Sequence, residues 1–265
     1  MRRSVVAATV LTTLALFLGP AATARADVAS PPRILGGTVH AADFALGPGD
    51  SRTFFVSFDA EDDSGISRNN AEADLLGPAG RQLQADPRQA GTDICTPHAD
   101  NPKRSTCRFT FTVRGNRWSL TNADAGLHEL YVLVAANDWV PREEGGLVTD
   151  GRLDSIRIKR KAQLTADAFP EPPRPGHPLG VVGRLTLADW DNGGYTGAPE
   201  GLPARLVYKA DGSTRYEYPA DLTTGRGGVL ATAVPPRPDG IWWLAHDGTD
   251  ATPWVYSAAD HVDMP

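Results

Sequence analysis

Cys107-Arg108-Phe109-Thr110-Phe111-Thr112-Val113 is the stretch that decides the fold class. Cys107, Phe109, Phe111 and Val113 fall on one side, and Arg108, Thr110 and Thr112 on the other. That period of two belongs to a half-buried strand. Upstream, Thr53-Phe54-Phe55-Val56-Ser57-Phe58 repeats the pattern, with Phe54, Val56 and Phe58 on one face. Residues 71–76, the long apolar run 127–136, and Ile156 with Ile158 add further strands. Residues 118–125 read as one helical turn, with Thr121 and Asn122 as caps and Gly126 as the stop.

Downstream the texture is the same. Residues 164–169 form an edge strand stopped by Pro170, Pro172 and Pro173. Strands follow at 179–187, 204–208, 214–218, 229–234 and 241–245, and Val255-Tyr256 closes the series. Asp211-Gly212 is the strongest short hairpin signal. The chain's 27 Gly and 22 Pro suit many short strands joined by turns. The expected fold class is therefore all-β, as two tandem immunoglobulin-like β-sandwiches. Lys159-Arg160-Lys161, read as a solvated strand end or linker, marks the boundary. The expected domains are residues 27–160 and 161–265.

Residues 1–26 read as a secretory signal peptide. Arg2 and Arg3 supply the positive start, residues 5–18 an uncharged apolar run, and Ala24-Arg25-Ala26 a small-x-small cleavage pattern. The run is too short to serve as a membrane span, so a secreted, extracellular protein is expected, with no membrane partner after cleavage. Losing the leader's three arginines leaves 23 basic against 32 acidic residues, a net charge of about −9. Such an acidic chain offers no basic stripe for nucleic acid. In an oxidising compartment Cys95 and Cys107, the only two cysteines, are expected to pair. The closure is worth about 2–3 kcal/mol in the chain-entropy model. The polar residues 96–103, with two prolines, look like a floppy excursion that the bridge pins.

Several segments of the second half resemble a recurrent module. They are Ala168-Phe169-Pro170-Glu171-Pro172, Gly176, Val182 and Leu185 around Gly183, Trp190-Asp191 with Gly193 and Tyr195, Asp239-Gly240 with Trp242, and Asp260-His261-Val262-Asp263. The module is the immunoglobulin-like one found in secreted actinobacterial proteins of no assigned activity. The first half is similar to the module that often precedes it, through Asp62-Asp63-Ser64-Gly65-Ile66, the cysteine pair and Ala125-Gly126. The resemblance implies architecture and transfers no catalytic residue. The chain departs from its pattern at Trp243 and Trp254.

Catalytic patterns are weak. Gly49-Asp50-Ser51 invites comparison with a lipase nucleophile, but a strand follows it. No Asp-x-x-His supplies a base: Ala258 stands three residues before His261, and Trp243 three before His246. The six histidines form no metal-binding spacing. A non-catalytic protein is thus expected, not an enzyme, and a hydrolase using Ser51 is the remote alternative. A second alternative is a calcium-stabilised surface protein. Asp59, Glu61, Asp62 and Asp63 crowd a loop leaving a strand, and hard cations need several oxygens on a turn. Asp189-Trp190-Asp191-Asn192 is a second acidic turn. The same residues also form turns unaided by any ion. No cofactor other than calcium is implied.

Aromatic residues are the remaining lead. Adjacent Trp242 and Trp243 must face opposite sides of their strand. The resemblance makes Trp242 the core member, which leaves Trp243 outward. Tyr216 and Tyr218 share a face, and Trp190 and Tyr195 flank a Gly-rich loop. Trp190, Tyr195 and Trp243 are the ligand-contact candidates. Cell-wall polysaccharide, or another extracellular protein, is the partner they suit, in a binding, adhesion or spacer role.

Overall fold

The computed structural model describes residues 30–87, 93–141, 145–174 and 176–263. The leader, 1–26, lies outside them.

The first half contains β1 (Arg33–Val39), β2 (Phe44–Leu46), β3 (Ser51–Glu61), β4 (Ile66–Leu76), β5 (Gln82–Gln84), β6 (Cys95–Pro97), β7 (Arg104–Arg114), β8 (Gly126–Ala136) and β9 (Leu147–Arg160). One sheet runs β1-β3-β7-β6 and the other β2-β9-β8-β4-β5. All pairs are antiparallel except β2 with β9. This is the strand order of an immunoglobulin-type sandwich. Its core follows from the period-two stretches: Phe109, Phe111, Val56 and Phe58 are buried while Arg108 and Thr110 face water. Phe54 stacks on Phe111 at 5.7 Å and Phe58 on Phe109 at 6.1 Å between ring centroids.

Cys95 and Cys107 are direct cross-strand partners and form a disulfide within one sheet. Immunoglobulin domains place theirs between the sheets. The residues it encloses are no floppy excursion. Thr96 and Pro97 pair with Thr106 and Ser105, so the bridge clasps a hairpin. The helical turn is a 3-10 turn, Asn122–Asp124. Thr121 donates both its backbone N–H and its hydroxyl to the Asp124 carboxylate, each at 2.7 Å.

The second half contains β10 (Ala162–Phe169), β11 (Leu179–Ala188), β12 (Tyr195–Gly197), β13 (Pro203–Ala210), β14 (Glu217–Thr223), β15 (Val229–Val234), β16 (Gly240–His246), β17 (Val255–Tyr256) and β18 (Asp260–Val262). β11 pairs with β10 on one side and with β12 and β15 on the other. The facing sheet runs β14-β13-β16, with β17 and β18 both alongside β16. Leu164, Leu185, Leu206, Tyr208, Trp242 and Leu244 fill the space between.

The halves share a core residue. Trp190 follows β11, yet its side chain joins the first half's apolar cluster and is only 1% exposed. Its indole Nε1 donates to the Leu46 carbonyl at 3.1 Å, and its backbone N–H to Asn122 Oδ1 at 2.9 Å. Gly115 shows how closely the ring is seated: a Cβ there would lie 2.9 Å from the indole nitrogen and 2.2 Å from the Gly47 carbonyl. Arg160, read from sequence as part of a solvated run, is buried here. Its backbone N–H donates to the Ala251 carbonyl and its Nε to the Ala188 carbonyl. Burial pushes its guanidinium pKa down, partly offset by Asp189 and Asp191.

Trp190→Ala removes a large buried ring that no neighbour can replace. It should cost about 3–5 kcal/mol and split a single calorimetric transition into two. An unchanged, single transition would mean that the halves are not joined through this ring.

His128 generates a pH prediction. Its enclosed ring meets the Gly126 carbonyl through Nδ1 at 3.1 Å. Burial pushes its pKa below the ordinary 6.5, against smaller opposing effects of that carbonyl and Asp124. The unfolded chain therefore takes up this proton at higher pH than the folded one. The contribution is complete above about pH 6.5 and declines as pH falls. Urea midpoints should drop between about pH 7.5 and 5, and His128→Gln should flatten that slope.

Candidate functional site

The outer face of the β14-β13-β16-β17 sheet carries the most exposed aromatic surface of the second half. It arises from simple alternation. On β13, Ala204, Leu206 and Tyr208 point inward, leaving Arg205, Val207 and Lys209 outward. On β16, Trp242 and Leu244 point inward, so Trp243 must point out. Trp242 is fully enclosed against Tyr208, their ring centroids 4.5 Å apart, and the Tyr208 hydroxyl donates to the Pro238 carbonyl. Val207 lies directly opposite Trp243, and Ala245 directly opposite Tyr256. The register thus brings Trp243 and Tyr256 to one face.

Tyr216, Tyr218, Trp243 and Tyr256 line a groove of about 360 Å³ with Val207 as its floor. Tyr216, Tyr218 and Tyr256 are 54%, 60% and 57% exposed, and Trp254 beside them is 70% exposed. The rings touch in pairs. Tyr216 and Trp243 are 6.0 Å apart, and Trp254 meets Tyr256 edge-on at 5.8 Å. Cations hold the flanks: the Arg205 guanidinium lies 5.5 Å from the Tyr218 ring centroid, and the Lys209 ammonium 5.9 Å from that of Tyr216. Arg205 is also ion-paired with Asp247.

Trp254 is presented by a buttressed loop. Buried His246 meets the Pro203 carbonyl through Nδ1 and the Thr252 hydroxyl through Nε2. Thr249 and Thr252 close the turn. Gly248 sits at φ +85°, and a Cβ there would lie 2.8 Å from the Trp254 backbone nitrogen. Glycine is required on both counts.

The structure separates the sequence-stated candidates. Trp243 is where alternation places it. Trp190 is sealed in the junction, and Tyr195 is half-buried against the first half's core. Ahead of the exposed Gly-rich loop, Asp189 accepts from Asn122 Nδ2 and from the Asp191 and Asn192 backbones. Burial pushes the Asp189 carboxyl up, and those hydrogen bonds outweigh it and hold it below the usual range. Tyr256 and Trp254 were missed as site members. Their spacing in Trp254-Val255-Tyr256 is the signal that puts two rings on one side.

The calcium candidates do not converge. Glu61 pairs with Arg33, Asp63 with Lys103, and Asp59 with Arg104. Asp62 accepts from the backbone and hydroxyl of Ser64, at 2.8 and 2.7 Å, as a turn former does. Burial pushes Asp59 up, but the Thr106 and Arg104 hydrogen bonds prevail and lower it. Among the described residues no group of three or more histidine, cysteine, aspartate or glutamate side chains could hold a metal. Ser51 opens β3 opposite Arg114, so the chain continues from it as a strand.

No family model and no curated protein sequence matches this chain. Among solved structures, the amphioxus IgVJ-C2 molecule aligns over 83% of this chain and 100% of its own, at 12% identity and a TM-score of 0.35. Dimeric latent PorU from Porphyromonas gingivalis aligns over 89% of this chain at 14% identity and a TM-score of 0.30. This chain spans 20% of that protein's length.

With the four carboxylates already engaged, the unfolding midpoint should be the same in millimolar calcium and in chelator. Binding at a hundredfold excess over Kd would raise it by about 5–10 °C, which would overturn this assignment.

Proposed function

We propose that this chain is an exported, non-catalytic binding protein whose second sandwich grips a polysaccharide on its outer aromatic face. One observation carries the reading: Tyr216, Tyr218, Trp243, Tyr256 and Trp254 gather on or beside one sheet face that the core does not require. A sugar ring has an apolar C–H face and a polar rim. Tilted rings flanked by Arg205, Lys209 and tyrosine hydroxyls offer both surfaces to it.

Export rests on the leader read in residues 1–26. The Cys95–Cys107 disulfide fits an oxidising compartment. No helix among the described residues is long and apolar enough to cross a membrane. The first sandwich supports the second through the Trp190 junction.

The test is retention of the full chain on insoluble cellulose, chitin and peptidoglycan. At least one should retain it. Trp243→Ala should weaken that retention about 30-fold, equivalent to about 2 kcal/mol. Passage through all three would leave only a spacer role, and a Trp243→Ala protein retained as tightly as the parent would place binding away from the aromatic face.

A further inference from the structure

The aromatic groove does not end at the sheet edge. A second groove of about 420 Å³ lies where the halves meet, lined by Asp43, Phe44 and Lys159 from the first and by Asp247, Thr249 and Trp254 from the second. Two links make the grooves continuous. Trp254, on the rim of the second, contacts Tyr256, on the wall of the first. Asp247, in the second, is ion-paired with Arg205, whose guanidinium covers Tyr218 in the first. A route therefore runs from Tyr216 and Trp243, past Tyr256 and Trp254, into the junction.

The charges along the route nearly balance, with Arg205, Arg157, Lys159 and Lys209 against Asp247, Asp43 and Asp250. Arg205 is matched by Asp247. Arg157, behind Asp43, is matched by Asp43 and Asp250. The Lys159 ammonium donates to the Thr249 carbonyl at 3.0 Å. What such a lining offers is hydrogen-bond donors and acceptors with little net charge, beside paired rings. An ionic polymer would find little excess of opposite charge. A neutral polyhydroxylated chain would find partners for both its faces and its hydroxyls.

Building on the polysaccharide reading above, we infer that the ligand is an uncharged glycan chain bound lengthwise, with Trp254 carrying it from the aromatic sheet into the cleft between the sandwiches. Each stretch of the route holds its own sugars. Affinity then depends on chain length, and Trp254 governs that dependence.

The experiment is calorimetric titration of the full chain with cello- and chito-oligosaccharides of two and of six units, with polygalacturonate as the anionic control. A six-unit chain should bind about tenfold more tightly than its two-unit counterpart. Trp254→Ala, at an exposed ring whose loss leaves the core intact, should erase that gain, lowering the six-unit affinity more than the two-unit affinity. Trp243→Ala should weaken both. If Trp254→Ala keeps the full gain with length while Trp243→Ala still weakens binding, the lengthwise route is wrong and the aromatic face stands. Tighter binding of polygalacturonate than of both neutral series would overturn the uncharged ligand. If neither series binds, this inference falls, and retention on peptidoglycan decides the underlying reading.

Discussion

The seating of Trp190 in the neighbouring sandwich is the constraint on which the rest of this molecule depends. An indole buried without a partner for its N–H would strand a donor, at a cost of about 1–3 kcal/mol. The Leu46 carbonyl removes that cost and fixes the ring's direction as well as its depth. The surroundings conform to it: Gly115 admits no side chain, and Asn122, in the 3-10 turn ahead of β8, receives the Trp190 backbone. One ring thereby sets the register between two cores. With that register set, Arg160 at the end of β9 reaches the Ala251 carbonyl, and Lys159 reaches Thr249. The loop that presents Trp254 is thus pinned against the first half, and the cleft between the sandwiches has defined walls.

Much of the architecture was legible in period-two burial. The stretches around Phe111 and Phe58 became central strands, and Thr121 does cap the turn ahead of β8, though with Asp124 as its partner while Asn122 turns to Trp190 and Asp189. The outward position of Trp243 was legible because its neighbour Trp242 fills the core. That Trp190 and Tyr195 pack against the first half was not legible, for a physical reason. A Gly-rich turn bearing aromatics looks the same whether it faces water or another sandwich, and local sequence carries no information about what lies across a junction. The acidic loop was ambiguous in the same way. Asp59, Glu61 and Asp63 find their cations at Arg104, Arg33 and Lys103, and two of those three lie far along the chain.

Exposure of single aromatic residues on a sheet needs little explanation, since tyrosine and tryptophan are good strand formers. Their grouping is different. Burying a side chain of this size is worth about 1.5–3 kcal/mol, which each exposed ring forgoes in large part. The interior of the second half is already complete with Trp242, Tyr208 and its leucines. Polar β-branched residues would serve the outer face equally well, as Thr53, Thr110 and Thr112 serve the first half's. The rings beside Val207 are therefore unexplained by folding, and contiguous exposed apolar surface of this kind marks contact with something else.

The ion pairs complete the argument about what that something is. Exposed pairs such as Arg205–Asp247 and Arg157–Asp250 contribute little to stability, about 0–1 kcal/mol each. Their main effect is on the field. The chain is acidic as a whole, with a net charge of -6, yet along the aromatic route Arg205, Arg157, Lys159 and Lys209 nearly cancel Asp247, Asp43 and Asp250. Arg205 has two duties there, since the same group that neutralises Asp247 also lies over Tyr218. An interface built for a charged partner would leave one sign in excess to steer it. An interface of cancelled charges and tilted rings discriminates by shape and by hydroxyl geometry, which is the recognition problem that a neutral sugar chain presents.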